Sequence, residues 1–163
     1  MAHETKLDAI DWALVRELQN DARKTNRDLA AAVHVSPSTS LERVRALRAT
    51  DVIRGYHADI DLDALGRHVQ ALTAVTIRPP TRENIESFRN WASGLPEIVG
   101  VFVVSGGYDF LLHVAVPDTN ALYAFVIDRL TERADVADVN TSVVYEHIRR
   151  PVLELLEEEQ AGA

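Results

Sequence analysis

Ser36, Ser38, Thr39 and Ser40 are followed closely by Arg43, Arg45 and Arg48. Small hydroxyls ahead of guanidinium groups suit contact with a polyanion: short side chains allow close approach, and arginine pairs bidentately with guanine edges or phosphates. Ser105-Gly106-Gly107-Tyr108-Asp109 allows a second chemistry. A glycine pair can simply make a hairpin turn. It also lets a ligand approach the backbone, with N–H groups for a carboxylate and Asp109 for an α-ammonium.

Other chemistries have less support. The six histidines fall on different predicted elements, and no pair has a helical metal spacing. His57, Asp59 and Asp61 alternate along a predicted strand and could contribute to a metal site, but such residues on an outer edge face are ordinarily just solvated. With no cysteine, thiolate nucleophiles, zinc thiolates and disulfides are excluded. Neither catalysis nor a resident metal or cofactor is expected.

The net charge of -8 is unevenly placed. Residues 1–60 hold nine Lys/Arg and nine Asp/Glu; residues 61–163 hold eight and sixteen. Within 22–54, seven basic side chains (Arg23, Lys24, Arg27, Arg43, Arg45, Arg48, Arg54) face three acidic ones, a local balance of +4. That is a phosphate-binding footprint. Met1 to Asp11 holds no apolar run, and no stretch approaches a membrane span, so a cytoplasmic, nucleoid-associated protein is expected without a membrane partner.

The elements that must position these residues follow from periodicity. Asp8 and Asp11 predict a capped first helix burying Ile10, Leu14 and Leu18. Thr25 and Asp28 start a second, burying Leu29, Ala32 and Val33. Ser36-Pro37 starts a third along Leu41, Val44 and Leu47 to about Ala49, and its opposite face holds Ser38, Thr39, Glu42, Arg43 and Ala46. Val52–Ile60 reads as a strand with a glycine turn. Then come a strand at 68–78, a helix at 81–93, strands at 98–105 and 109–116, a helix at 119–130 and a strand at 136–147.

The helix stripes Ile85, Phe88, Ala92 and Leu122, Phe125, Val126 each cover one sheet face. The expected class is α+β: an N-terminal winged helix-turn-helix, then a ferredoxin-like β-α-β-β-α-β domain. The other sheet face, with Phe102, Val104, Leu111 and Ala115, stays apolar and calls for a partner, most simply a second subunit. The expected parts are a DNA-binding domain at 1–60, a linker at 61–67, a regulatory domain at 68–150 and an acidic tail at 151–163. Glu154 to Ala163, with Glu157-Glu158-Glu159, reads as a frayed acidic helix end or tail.

Val35-Ser36-Pro37-Ser38-Thr39-Ser40-Leu41-Glu42-Arg43-Val44-Arg45-Ala46-Leu47 resembles the recognition helix of the leucine-responsive/asparagine (Lrp/AsnC, feast/famine) regulator family. Leu7-Asp8-Ala9-Ile10-Asp11 and Leu18–Arg23 resemble the family's first helix, Val52–Tyr56 its wing, and Val104–Leu112 part of its amino-acid-responsive domain; the resemblance covers about residues 7–148.

The resemblance implies a DNA-binding transcription regulator, with Thr25, Arg27, Ser36, Ser38, Thr39, Ser40, Arg43, Arg45 and Arg48 toward double-stranded DNA. It implies an amino-acid effector bound by Ser105, Gly106, Gly107, Tyr108, Asp109 and Thr141 at a subunit interface, and homodimers that assemble into octamers. An architectural DNA-binding oligomer without an effector, and a metabolite-binding module with a vestigial DNA domain, would look similar. Three positions depart from the family pattern: Gly107 where an acid is frequent, Val139 where a threonine is usual, and His34 where glycine is common.

Overall fold

The computed structural model describes residues 7–156. Packing contacts divide these into two units: residues 7–58 with 148–156, and residues 59–147.

In the first unit, Asp8 accepts from the N–H groups of Ile10 and Asp11 while Asp11 reaches back to the Asp8 N–H, a closed capping box. It starts α1 (Ala9–Asn20). Thr25 caps α2 (Asn26–Ala32), and Ser36, with Pro37 at the first helical position, caps α3 (Pro37–Ala49). Leu14, Leu18, Leu29 and Leu47 form the core, joined by Ile10, Val33, Val44, Val52 and Ile53. Between α2 and α3 the chain turns at His34 with φ 57°, the left-handed conformation expected where glycine is common.

Three details differ from the sequence reading. Ala30 is buried in place of Ala32, because a seven-residue helix presents only about two turns and its packing angle decides which alanine faces inward. On α3 the inward stripe is buried Ser40 and Leu47 with partly buried Val44, and Leu41 is 39% exposed. The predicted wing strand at Val52–Ile60 does not form. Val52 and Ile53 instead tuck against the helices, with the Ile53 N–H donating to the Leu47 carbonyl at 3.0 Å. A strand needs a neighbour for its N–H and C=O groups, and no strand lies among the described residues of this unit.

The second unit begins with a short 3₁₀ turn (Asp63–Leu65), followed by β1 (Val69–Ile77), α4 (Arg82–Ala92), β2 (Ile98–Val103) and β3 (Phe110–Val116). A helix then runs α-helically as α5 (Thr119–Ala124) and continues as a π-helix (Phe125–Thr131) before β4 (Val136–Val144). The sheet order is β2-β3-β1-β4, antiparallel throughout, as a ferredoxin-like domain requires.

Cross-strand rows sort the two faces. Val103, Phe110, Val75 and Val139 share one row, and Val101, Leu112, Thr73 and Thr141 the next. These lie toward the helices, where Phe88 stacks on Phe110 at 4.6 Å between centroids. Replacing a buried Phe of this kind by Ala typically costs about 3–5 kcal/mol. Arg133 closes one end of the core by pairing with Asp135 at 2.7 and 2.9 Å and lying 4.5 Å over the Trp91 ring.

The opposite face carries Phe102, Leu111 and Ala74 in one row and His113 and Leu72 in the next, with Phe102 55% exposed. Ala115, expected on this bare face, is buried, and the Arg67 guanidinium donates to its carbonyl. Val104 lies beyond β2 and is half-buried.

The π-helical end of the second long helix was not predicted. Phe125 and Leu130, five residues apart, are both buried. At 3.6 residues per turn they would point about 140° apart. The wider π turn brings them to one side.

Candidate functional site

The exposed head of α3 is built by its cap. Ser36 Oγ accepts the Thr39 N–H at 3.1 Å and lies 2.9 Å from Ser38 Oγ and 2.8 Å from Thr39 Oγ1. Three hydroxyls therefore cluster at the first turn, where backbone N–H groups and the helix dipole favour anions. Ser38 is exposed and Thr39 half-buried. Thr25 uses its hydroxyl as a cap, accepting the Asp28 N–H and donating to Asp28 Oδ2 at 2.7 Å. Arg27 is exposed on α2.

Two residues of the expected DNA-contacting set face elsewhere. Ser40 is fully buried, and its Oγ has no hydrogen-bond partner among the described residues. The reason is the rotation of α3, which turns position 40 inward in place of Leu41. Arg43 is clasped by α1: its Nη1 lies 2.5 Å from Asp8 Oδ2 and 2.9 Å from Asp11 Oδ1. The Asp8 carboxyl sits below the usual carboxylate range, first because the Asp11 N–H donates to it and then because Arg43 does. Arg43 is thus a positioning residue that locks α3 onto the start of α1.

The exposed cations gather at the other end of α3. Arg45, Arg48 and Arg54 surround a hollow of about 380 Å³ with Asp51 and Ile53, and Arg48 lies 6.0 Å from the Tyr56 ring. Arg54, outside the expected contact set, is brought beside Arg45 by the turn after α3, with Asp51 at φ 57°.

The same unit holds the start of the expected acidic tail. Residues 148–156 pack with the helices, and Arg149 and Leu153 line a groove of about 880 Å³ with Trp12, Val15, Gln19 and Tyr56. Of the segment expected to fray only residues 154–156 are described: Glu154 lines this groove, Leu156 is exposed, and Glu157–Glu159 lie outside the described residues.

Within one chain the expected effector residues lie on separate elements. Ser105, Gly106, Gly107 and Tyr108 form an exposed loop between β2 and β3, with Gly106 at φ 133°. Asp109 is committed to holding that loop on β1: its Oδ2 accepts the Ile77 N–H at 2.7 Å and faces Arg78 at 3.6 Å. Its own N–H donates to the Val75 carbonyl, so backbone and carboxylate together anchor the loop to β1. Thr141 lies in mid-β4 on the helix-covered face, its Oγ1 3.1 Å from that of buried Thr73. Sequence spacing could not show this, because cross-strand register assigns a strand residue to a face.

On the bare face His113 Nε2 lies 2.9 Å from Gln70 Oε1, and its ring meets that of His147 edge-on at 5.7 Å. Burial, followed by the nearby His147 charge, pushes the His113 pKa down. His57, Asp59 and Asp61 sit outside any strand, so the alternation that suggested a metal site is lost. Among the described residues no group of three or more His, Asp or Glu could hold a metal ion, and no helix is long and apolar enough to cross a membrane.

Comparison with known proteins agrees with this architecture. Residues 7–48 match the AsnC-type helix-turn-helix domain and residues 70–152 the Lrp/AsnC ligand binding domain. The chain is 41% identical over 143 residues to the HTH-type transcriptional regulator AldR of Mycolicibacterium smegmatis, covering 88% of this chain and 84% of that one. It is 33% identical over 144 residues to the leucine-responsive regulatory protein of Escherichia coli (strain K12), covering 88% of each. Among solved structures, a transcriptional regulator from Neisseria meningitidis in complex with L-Met superposes with a TM-score of 0.83 at 30% identity, covering 93% of this chain and 97% of that one. These relatives are named as regulators, not enzymes. A capped helix-turn-helix and a ferredoxin-like sheet, matched in order along one chain, place this protein in the Lrp/AsnC family of helix-turn-helix transcription regulators.

Proposed function

We propose that the protein binds specific operator sequences and that a small effector, an amino acid, shifts its DNA affinity or assembly. The observation that carries the DNA half is α3, whose first turn presents exposed Ser38 beside half-buried Thr39 while Arg45, Arg48 and Arg54 gather at its far end. Small hydroxyls can seat that turn in a major groove, and the arginines then hold the flanking phosphates. The effector half is supported by the match of residues 70–152 to a ligand-binding domain, and by the relative solved with L-Met. The apolar row of Phe102, Leu111 and Ala74 supports a homodimer built sheet to sheet, from which octamers can grow. Neither metal nor cofactor is called for, and DNA as partner implies a cytoplasmic, nucleoid-associated protein.

The test is binding to the protein's own upstream DNA at two salt concentrations, with and without each standard amino acid. Arg45→Gln and Arg48→Gln should each lower the slope of log affinity against log salt by about 1 and weaken binding on all sequences alike. Thr39→Ala should relax sequence preference. Tight binding on every sequence, indifferent to all amino acids, would favour an architectural DNA-binding oligomer, and no salt-dependent binding would remove the DNA assignment.

A further inference from the structure

Arg45, Arg48 and Arg54 are exposed around one hollow of about 380 Å³, in which Asp51 is the acidic wall residue. Among the described residues none of the three pairs with a carboxylate, and Arg48 has only the Tyr56 ring, 6.0 Å away. Like charges gathered without counter-charges attract an anion.

Ile53 and Arg54 also line the groove of about 880 Å³, so the two hollows adjoin. Arg149, Leu153 and Glu154, from the segment after β4, line that same groove. Gln19 holds the segment there through two hydrogen bonds to the Leu153 backbone, at 2.9 and 3.1 Å. Glu154 follows the clamp directly, and Glu157, Glu158 and Glu159 come next with no Lys or Arg between them. Three extended residues span about 10 Å, so these carboxylates are tethered close to Arg54 and the hollow beyond it.

We propose that residues 154–159 are an internal competitor for DNA: seated by the Gln19 clamp, their carboxylates pair with Arg45, Arg48 and Arg54 in the free protein and yield to phosphates when DNA binds. Carboxylate and phosphate use the same guanidinium donors, so one guanidinium edge cannot hold both. A short tether gives the acidic segment an effective concentration on the order of millimolar, enough for individually weak ion pairs to compete. Every DNA molecule must displace the segment, so it weakens operator and unrelated DNA by the same factor and sets the protein concentration at which any site fills. The proposal rests on the reading that these arginines hold DNA phosphates.

Fluorescence-anisotropy titration of the full chain with its own upstream duplex and with an unrelated duplex, at low and high salt, tests it. The tail variant carries Glu154→Gln, Glu157→Gln, Glu158→Gln and Glu159→Gln. A control neutralises four exposed acids of the second unit instead, by Glu83→Gln, Glu86→Gln, Glu132→Gln and Asp138→Asn. At low salt the tail variant should bind both duplexes roughly three- to tenfold tighter than the wild type, the range of a few exposed ion pairs, and with a steeper salt dependence. Gln19→Ala, which alters no charge, should show part of that gain, and Arg54→Gln should shrink the gain from the tail substitutions. A control that gains as much as the tail variant, or no gain in the tail variant or in Gln19→Ala, overturns the competitor and leaves the DNA reading intact. Absence of salt-dependent binding to either duplex in every protein removes the DNA reading and the competitor with it.

Discussion

Gln19 grips Leu153 with both ends of its carboxamide: Nε2 donates to the Leu153 carbonyl at 3.1 Å, and the Leu153 N–H donates to Oε1 at 2.9 Å. This two-bond pattern satisfies a backbone unit as a neighbouring strand would. It fastens a segment 134 residues away in sequence to the middle of the DNA-binding unit. Each such bond contributes about 0.5–1.5 kcal/mol net, toward the lower end at an exposed site. Gln19→Ala should therefore speed amide exchange at Leu153 several-fold and leave that of Val75 and Leu112 unchanged. Gln19→Glu, which keeps the acceptor, should show an intermediate rate. Equal exchange in all three proteins would mean that the segment does not dock in solution.

Arg43 joins α3 to α1 through Asp8 and Asp11, so Arg43→Ala should lower the melting temperature of the helix-turn-helix unit along with DNA affinity. Arg45→Gln should lower affinity alone. The Asp8 carboxyl is held below its usual range, so its stabilising effect is complete above about pH 4 and is lost as pH falls through the depressed value. Asp8→Asn should flatten that acid limb in a circular-dichroism titration. If Arg43→Ala melts like the wild type, the clasp is not structural.

Ser40 Oγ is buried without a partner, an unusual state for a hydroxyl. Ser40→Ala should be neutral, or stabilising by about 1 kcal/mol, and should leave DNA binding intact. Loss of operator binding with an unchanged melting temperature would place Ser40 at the DNA after all.

His34 holds φ 57°, where a side chain is penalised and glycine is not. His34→Gly should stabilise the unit by about 1 kcal/mol in urea unfolding, less whatever entropy the more flexible unfolded chain gains. A destabilised variant would show that the imidazole makes a contact worth more than the strain.

His113 meets His147 and Gln70 on the bare sheet face, and burial lowers its pKa. The unfolded chain therefore holds the proton more tightly than the folded one. Stability from this group is complete above the unfolded value, near 6.5, and falls as pH drops through the lower folded value. Thermal melts between pH 7.5 and 5 should show the sheet unit weakening, and less so in His113→Gln. Parallel pH profiles for the two proteins would assign the loss to other groups.

The elements that local chemistry alone can specify were legible in the sequence. Asp8, Thr25 and Ser36 cap the helices they announce, because capping is an interaction between a side chain and backbone two or three residues away. The β-α-β-β-α-β order followed from periodicity for the same reason. Relations between elements were decided by the tertiary structure. The packing angle of α3 buried Ser40 and exposed Leu41, and it carried Arg43 to Asp8. Sheet register set Thr141 against Thr73, away from the loop it was expected to join. The expected strand at Val52–Ile60 had no neighbouring strand among the described residues of its unit. The gathering of Arg54 with Arg45 and Arg48 belongs to the same class, since sequence shows which groups are charged and only the folded chain shows which of them stand together.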